Sequence, residues 1–390
     1  MRAVRLPWPA LLLLAAAAHA GVLPEDRADV LYHRYQGGGL TVQGPSVLVR
    51  KKIGESFSAT ANYYVDAISS ASIDVVVTGA SPYKERREQK SLGVDYLRGK
   101  STWSASYMTS KENDYKSSTW SLGVSQDMFG DLTTVSFGYS RGNDTVQKTI
   151  SDGMGGKMLD PAFRKTIDRH DYRVGVTQVL TRNLLASVNW ETISAQGYLQ
   201  NPYRFSRYLP GPGSPTWARQ PETFPNTRTS NAAALMLKYY LPWRAALEGQ
   251  YRFYNDTWGI NAHTAMLEYT HPWQQRWVFS GSYRFYTQNS ADFFSDLFPA
   301  IDAQNFMARD KETSALSTHT LGLGVAYEFP VTWASWLTRG TANLRIDHMM
   351  IDYNYFRDLR NYPPGSVQPG TEPLYSLTAN IIQFYVSFWF

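Results

Sequence analysis

The chain has 390 residues, with 38 Lys and Arg against 33 Asp and Glu, and it has no cysteine. Without cysteine, a disulfide framework and thiolate metal sites are excluded. The nearly balanced charge argues against a nucleic-acid partner, because such proteins carry a basic patch or stripe. Mean hydropathy is −0.37, yet 14% of the residues are aromatic. This combination is typical of a barrel with a wet lumen and aromatic girdles, and also of a secreted β-sandwich.

Residues 1–20 have the organisation of a secretory signal peptide. A basic start with two arginines precedes an apolar stretch over about 6–18, and Ala-His-Ala at 18–20 fits a small-x-small cleavage site. We therefore expect this segment to be removed on export and residues 21–390 to form one barrel domain. No later stretch approaches about 20 consecutive apolar residues, so the sequence predicts no transmembrane helix.

Period-two alternation recurs along almost the whole mature chain, in stretches of about ten residues. In 320–329, large apolar residues from Leu321 to Phe329 alternate with small or charged ones such as Gly322 and Glu328. If one face of each strand meets lipid and the other meets water, the pattern predicts an all-β, antiparallel up-and-down transmembrane barrel. Similar patterns occur at 56–66, 90–97, 101–109, 118–125, 132–140, 171–180, 183–193, 231–241, 244–255, 261–270, 276–287, 340–351 and 377–390.

The last predicted strand ends on an aromatic residue. A terminal Phe on such a strand resembles the signal by which the barrel assembly machinery of the outer membrane recognises its substrates. A buried edge strand at the C-terminus is the alternative. We therefore expect the chain to reside in the bacterial outer membrane, with outer-membrane lipid and the assembly machinery as partners. The predicted assembly signal consists of Phe384, Val386, Phe388 and Phe390.

The lengths of the connections predict the number of strands. Tight and long connections alternate, and barrels of this kind have an even strand number, with short periplasmic turns and longer outer loops. If the tight turns are periplasmic, the strand before Lys52 runs downward, so an earlier strand must run upward. The only segment available is 30–36, followed by a Gly-Gly-Gly turn at 37–39. This gives about 16 strands, with 14 as the alternative.

Long outer loops are predicted between the strands, and a 16-stranded barrel is wide enough for an aqueous channel unless loops fill it. The apolar segment 73–78 and the arginine-rich segment 201–228 are candidates for folding into the lumen. Simple coverage of the outer surface is the alternative. The predicted long loops are 67–89, 142–168, 197–228, 288–314 and 353–373.

From Gly39 onward the chain resembles a bacterial family known as domain of unknown function 3570. The resemblance rests on the segments GPSVLVRKKIGES, ANYYVDAISSASIDVV, SPYKERREQKSLGVDYLRGK, SQDMFGDLTTVSFGYSRG and DAQNFMARDKE. It implies an outer-membrane barrel and brings no established activity. The genetic surroundings of the family imply a small cysteine-ended lipoprotein and flavin-transferring proteins as companions in an envelope redox system.

Charged residues recur on the face predicted to line the lumen. Adjacent strands lie about 4.8 Å apart, so these side chains are expected to form charged ladders across the wall. Such rings of charge tune the selectivity of pores or latch a folded-in loop. An ordinary solvated wall with offsetting pairs is the alternative. The two predicted sets are Glu248, Arg252, Glu268 and Arg284, and Glu328, Arg345 and Asp347.

An outer-membrane hydrolase is a third interpretation, suggested by Ser317 and His319, which period two places on one face. No neighbouring sequence supplies an orienting partner for the histidine or an oxyanion donor. Metal ligation has no recognisable spacing either, so we expect no catalytic residue, cofactor or metal. The remaining ligand-type residues considered were His263, His271 and His348, and the loop residues Asp292, Asp296, Asp302 and Asp310.

Two functions follow from this interpretation. The first is porin-like passage of a small solute or ion through the lumen. The second is a plugged barrel that serves as a scaffold for a periplasmic lipoprotein or redox partner. The hydrolase is the least supported, and the sequence predicts a protein that is not an enzyme.

Overall fold

The computed structural model describes residues 22–70, 83–154 and 156–390. The predicted signal peptide and the apolar segment 73–78 therefore lie outside the described residues. The described part forms a closed antiparallel barrel of 16 strands, with two further short strands paired in one outer connection. The barrel strands are β1 (Arg27–Gly37), β2 (Leu40–Ile53), β3 (Phe57–Ser70), β4 (Tyr83–Arg98), β5 (Ser101–Lys111), β6 (Tyr115–Met128), β7 (Thr133–Ser151), β8 (Lys157–Thr181), β9 (Leu184–Gly197), β12 (Thr227–Tyr240), β13 (Ala246–Asp256), β14 (Asn261–Trp273), β15 (Trp277–Gln288), β16 (Leu316–Phe329), β17 (Arg339–Arg357) and β18 (Leu374–Trp389), and the two short strands are β10 (Phe205–Tyr208) and β11 (Ala218–Pro221).

The strand inferred from parity is present and closes the barrel. Val30 of β1 lies opposite Val47 of β2 on one side and opposite Val386 of β18 on the other. The turn after β1 uses Gly38 and Gly39, whose φ angles of 56° and 76° favour glycine. The prediction of 16 strands is thus confirmed, and the 14-stranded alternative is wrong.

The two faces of the sheet differ as the alternation predicts. Leu92 and Leu323 are 66% and 72% exposed on the outside of the barrel, where lipid would cover them. Small or polar residues occupy the alternate positions, such as Ser91, Gly322 and Gly324. Because no apolar layer packs on the outward face in the described part of the chain, the β-sandwich alternative is excluded.

Several predicted outer loops are shorter than expected, because the strands continue beyond the membrane. The long loop predicted over 142–168 is wrong: β7 runs to Ser151 and β8 begins at Lys157. Outside the membrane both faces of a strand meet water, so apolar and polar residues no longer need to alternate. The periodicity therefore detects the embedded part of each strand and misses its extension.

Helical structure is almost absent from the described residues. A single 3-10 turn, Lys311–Thr313, follows Asp310, whose side chain accepts a hydrogen bond from the backbone N–H of Glu312. Within the described ranges, no helix has the length and apolar character needed to cross a membrane.

Candidate functional site

Four outer connections pack together into one body, which we call the outer cap: residues 198–226, 257–260, 289–315 and 358–373. Backbone pairing joins the first and third of them, between Tyr208 and Phe298 and between Thr223 and Met307. The side chains of Phe298 and Met307 are each 1% exposed. The outer cap is therefore a folded unit with its own buried core.

The outer cap is seated in the end of the lumen. Its aromatic residues Phe224 and Trp258 share one buried cluster with Tyr115, Val146 and Ile167, which point inward from β6, β7 and β8. A second cluster lies on the opposite wall, and Phe294 of the cap packs against both clusters. The arginine-rich segment thus folds inward, and the alternative of simple surface coverage is wrong for it. The residues of the second cluster are Leu316, Tyr353, Phe356 and Tyr375.

Buried ion pairs tie the cap together. The guanidinium of Arg207 donates to both carboxylate oxygens of Glu372, at 2.6 and 3.0 Å, and it also donates to Asp296. Arg309 donates to the other oxygen of Asp296 at 3.0 Å. Arg207 is fully buried, and a buried charge is tolerated only when its partners satisfy it. These contacts link three of the four connections of the cap.

The electrostatics of the cap keep its acids ionised. Burial alone would raise the pKa of Asp296, but the attraction of Arg309 and Arg207 outweighs it and lowers that pKa below its usual value. For Glu372, burial also opposes ionisation, yet the hydrogen bond from Arg207 and its charge lower the pKa overall. The network is therefore a set of charged pairs at neutral pH.

Below the cap the inward wall is polar and open to solvent. Small side chains such as Ser121, Ser136 and Thr177 point inward and remain half-buried rather than packed. The buried apolar clusters found in the described residues lie in the cap or against β17 and β18 at its edge. The lower wall that the structure describes is thus polar and only half-buried.

On one side of this wall, Arg345 bridges three strands. Its guanidinium lies 3.6 Å from Glu268 of β14 and donates to Asp347 at 3.1 Å and to Ser282 at 2.8 Å. The side chain passes over Gly322, where an added Cβ would lie 2.8 Å from Nη2 of Arg345. The glycine therefore leaves the space that lets Arg345 reach Glu268.

A second chain of charges continues along the wall from β8 to β13. Arg173 donates to Glu191 at 2.8 Å and also to Asp171. The other oxygen of Glu191 lies 3.6 Å from Arg252. Together with Arg345 and its partners, these residues form what we call the lumen belt.

Two of the predicted lumen residues differ in their surroundings. Glu248 pairs with Lys238 at 3.1 Å and lies directly opposite Glu268 in the register. Arg284 lies over the ring of Tyr286 at 5.7 Å, and no carboxylate of the described residues pairs with it. Arg284 is therefore the one predicted lumen cation whose charge is left uncompensated among the described residues.

Glu328 lies apart from the lumen belt. It is 3.9 Å from Arg339, near the periplasmic end of β16, and Arg345 lies opposite Gly324 instead. The prediction that Glu328, Arg345 and Asp347 form one set is wrong, because along β16 Glu328 lies four residues from the position opposite Arg345 and six from the position opposite Asp347.

The residues considered for catalysis or metal binding have other partners. Nδ1 of His319 lies 2.7 Å from the hydroxyl of Tyr283, on the outward face, and no hydrogen bond joins it to Ser317 in the described residues. Asp310 pairs with Arg204. One acidic group in the described ranges has oxygens within 4.8 Å of one another, and it could hold a cation. Its members are Glu85, Glu112 and Asp114.

Sequence reasoning missed the pair formed by Arg207 and Glu372. The two residues are 165 positions apart, and each lies in an irregular connection without periodicity. No local signal in the sequence indicates such a contact. The arginine content of 201–228 indicated only that this segment is a candidate for folding into the lumen.

The closed, antiparallel, outward-apolar barrel defines the class of protein: the fold is that of outer-membrane β-barrels. Within this class, the chain belongs to the family described as "Protein of unknown function (DUF3570)", whose model matches residues 8–354. The resemblance seen in the sequence is thereby confirmed. Among curated proteins, no sequence matches this chain.

The comparison with solved structures matches outer-membrane proteins at low sequence identity. A bacterial polysaccharide outer membrane secretin has a TM-score of 0.50 at 10% identity, covering 94% of this chain and 100% of that one. The siderophore receptor PirA from Acinetobacter baumannii has a TM-score of 0.43 at 8% identity, covering 94% and 60%. A Pseudomonas aeruginosa FadL homologue has a TM-score of 0.38 at 9% identity, covering 94% and 90%.

Proposed function

We propose that the protein provides porin-like passage for small polar solutes or ions across the outer membrane. The observation that carries this proposal is the half-exposed polar wall below the outer cap, crossed by the lumen belt. Small inward side chains leave room for water, and the paired charges of the belt offer polar contacts without a strong net field.

The outer cap makes the passage selective by size. It contacts the wall at β6 to β8 and again at β16 to β18, so the outer mouth is narrower than the lumen beneath. Among the described residues, the buried clusters that join the cap to the wall include no residue of β1 to β5, so we place the passage on that side. Arg284 adds an uncompensated positive charge to the wall, which favours anions weakly.

The test is conductance of the full-length protein in planar lipid bilayers. We expect small single-channel currents with a modest preference for chloride over potassium. The double variant R252Q/R284Q should shift the reversal potential toward cation preference, because it removes positive charge from the lumen. R141Q is the matched control, since Arg141 points outward and pairs with Asp168. An unchanged reversal potential in R252Q/R284Q would retire the role of these arginines.

A second proposal is a closed barrel that serves as a scaffold for a periplasmic lipoprotein or redox partner. The buried pairing of Arg207 and Glu372 favours it, because a cap held this firmly suits a plug. If neither the native protein nor the cap variant E372Q conducts current in planar bilayers, the result would support the scaffold function over porin-like passage. Copurification from membranes would then identify a lipoprotein that stays bound.

A further inference from the structure

Five histidines of the described residues point outward from the barrel wall, where lipid is expected, and four of them lie toward its outer end. Three accept or share a hydrogen bond with a tyrosine hydroxyl through Nδ1: His170 with Tyr139, His263 with Tyr251 and His319 with Tyr283, at 2.8, 2.7 and 2.7 Å. The fourth, His348, has Nδ1 2.8 Å from Oδ1 of Asn380. A lipid-facing imidazole is costly in hydrocarbon, so its depth in the membrane matters.

The register gives the height of each position around the barrel. Starting from Trp273 at the periplasmic end of β14, eight successive strand pairings lead to Lys90 of β4, which lies eight residues before the strand end at Arg98. Because the strands are tilted, residues paired in the register do not lie at the same height. In this direction around the barrel, the residue of equal height lies one position further toward the periplasm for each strand crossed, and in the other direction one position further toward the outer end.

By this rule the four histidines lie at one height, which we call the histidine level. From His263, two pairings lead to Ser317 and three to Asp352. His319 lies two residues from Ser317 toward the periplasm, as the rule requires after two strands. His348 lies four residues from Asp352 toward the periplasm, one more than the rule requires after three strands. In the other direction, four pairings lead to Val174, and His170 lies four residues nearer the outer end.

The histidine level marks the outer boundary of the apolar surface. Below it the outward residues of β16 and β17 are apolar, including Leu321, Leu323 and Ile346. On β14 the next polar outward side chain is His271, eight residues away and 3.2 Å from the hydroxyl of Tyr269. Eight residues on a tilted strand rise roughly 20 Å, close to the height of the apolar band of such barrels.

Exposed lysines on the opposite side of the barrel share this boundary. Lys111 and Lys116 lie directly opposite one another on β5 and β6, both outward and exposed. Their positions are within two residues of the histidine level, on its outer side. No carboxylate of the described chain forms an ion pair with either lysine, although Glu88 of β4 lies directly opposite Lys111 and pairs with Arg86. Like charges placed directly opposite one another destabilise a sheet. The two lysines therefore lie side by side without an ion pair of their own, and an anion could bind between them.

We propose that the histidine level binds the phosphorylated headgroups of outer-leaflet lipids. A tyrosine hydroxyl that donates to Nδ1 fixes the tautomer with the proton on Nε2, which then points to the lipid as a donor. Nε2 of His263 and of His319 has no hydrogen-bond partner among the described residues. Phosphate oxygens at this depth would accept from Nε2, and they would also pair with Lys111 and Lys116.

The experiment compares lipid binding by full-length protein purified in detergent, using native mass spectrometry. The probes are lipid A with its phosphates and the same lipid A after dephosphorylation. We expect at least about tenfold preference for the phosphorylated form in the native protein. The variant H263Q/H319Q/K111Q/K116Q should lose this preference, and each substitution is on the surface and keeps a polar side chain.

H271Q is the matched control, because the same histidine–tyrosine arrangement lies there at the periplasmic end. It should keep the preference of the native protein. Equal binding of both lipids by the native protein, or an equal loss in H271Q, would overturn the proposal. Displacement of the lipid by millimolar inorganic phosphate would also overturn it, because free phosphate would then be the ligand. Heat-modifiable mobility on gels verifies that each variant is folded.

Discussion

Arg207 and Glu372, 165 positions apart, form a bidentate ion pair that is fully enclosed by the outer cap. The two hydrogen bonds measure 2.6 and 3.0 Å, and the side chains are 0% and 1% exposed. Parallel hydrogen bonds of this kind fix orientation as well as distance. The pair therefore holds the last outer connection against the long one that precedes β12.

We predict that Glu372→Gln loosens the cap. The substitution leaves the buried Arg207 with Asp296 alone, and breaking such a pair costs about 3 kcal/mol of the cap's stability. Limited proteolysis should cut residues 198–226 and 358–373 faster than in the native protein, while the barrel stays intact. In bilayers, open-channel conductance should rise if the cap restricts the mouth.

The control is Glu312→Gln, which weakens a partly exposed contact of the same cap, 3.5 Å from Arg204. Exposed pairs contribute about 0–1 kcal/mol, so cleavage should remain near the native rate. Equal resistance of E372Q and E312Q to protease would contradict a latch formed by Glu372.

We predict that Gly322→Ala disrupts the lumen belt. A Cβ there would lie 2.3 Å from Oδ1 of Asp347 and 2.5 Å from Oγ of Ser282, closer than real contacts allow. Arg345 would have to withdraw from Glu268, at a cost of about 1–3 kcal/mol. The thermal unfolding temperature should fall, and the freed Glu268 should shift bilayer selectivity toward cations.

Gly138→Ala serves as the comparison, because Gly138 also faces the lumen but its Cβ would meet only Cβ of Arg173, at an ordinary 3.6 Å. Its unfolding temperature and selectivity should match those of the native protein. If G322A behaves like G138A in both measurements, the bridge formed by Arg345 contributes neither to thermal stability nor to ion selectivity.

We predict that the connection between β5 and β6 is more stable in acid. Burial, together with the negative charge of Glu85, raises the pKa of Glu112 to about 7. Between pH 4.5, the ordinary pKa of a glutamate, and about pH 7, Glu112 is protonated in the folded state and ionised in the unfolded state. The free energy of unfolding therefore falls as the pH rises through this range. The loss is on the order of 3 kcal/mol.

Hydrogen exchange of residues 111–116, corrected for the intrinsic effect of pH, measures this change. Protection should be higher at pH 5.5 than at pH 8. Glu112→Gln carries no titrating proton, so its protection should stay level across the range. A native protein with the same protection at both values would show that Glu112 titrates normally.

The embedded barrel was predictable from the sequence, because lipid and water sort side chains residue by residue. The segment 320–329 shows this, and so does β1, which parity alone required. The extensions of β7 and β8 were missed, since water surrounds both of their faces. The pairing of Arg207 with Glu372 was beyond prediction, because it depends on two irregular connections meeting in space. Inward charges such as Arg345 were found by alternation, but their partners required the register.

We predict that Phe390→Ala lowers the fraction of protein that reaches the folded barrel. Phe390 lies where the two chain ends meet: its N–H donates to the carbonyl of Asp26 at 3.3 Å, and Nζ of Lys51 lies 4.8 Å from its ring centre. The ring thus helps to seal the pairing of β1 with β18, besides its expected role in the assembly signal. Heat-modifiable mobility of membrane fractions should show several-fold less folded protein.

Phe129→Ala is the control for this change, because Phe129 is an aromatic residue of a periplasmic turn that is 76% exposed and lies far from the seam. Its folded fraction should equal that of the native protein. Refolding of purified F390A into detergent separates the two roles of the ring. Normal refolding with poor assembly in cells indicates recognition by the assembly machinery, because only that step is missing from the purified system. Poor refolding in detergent indicates instead that the contact of the ring with Lys51 helps to close the barrel.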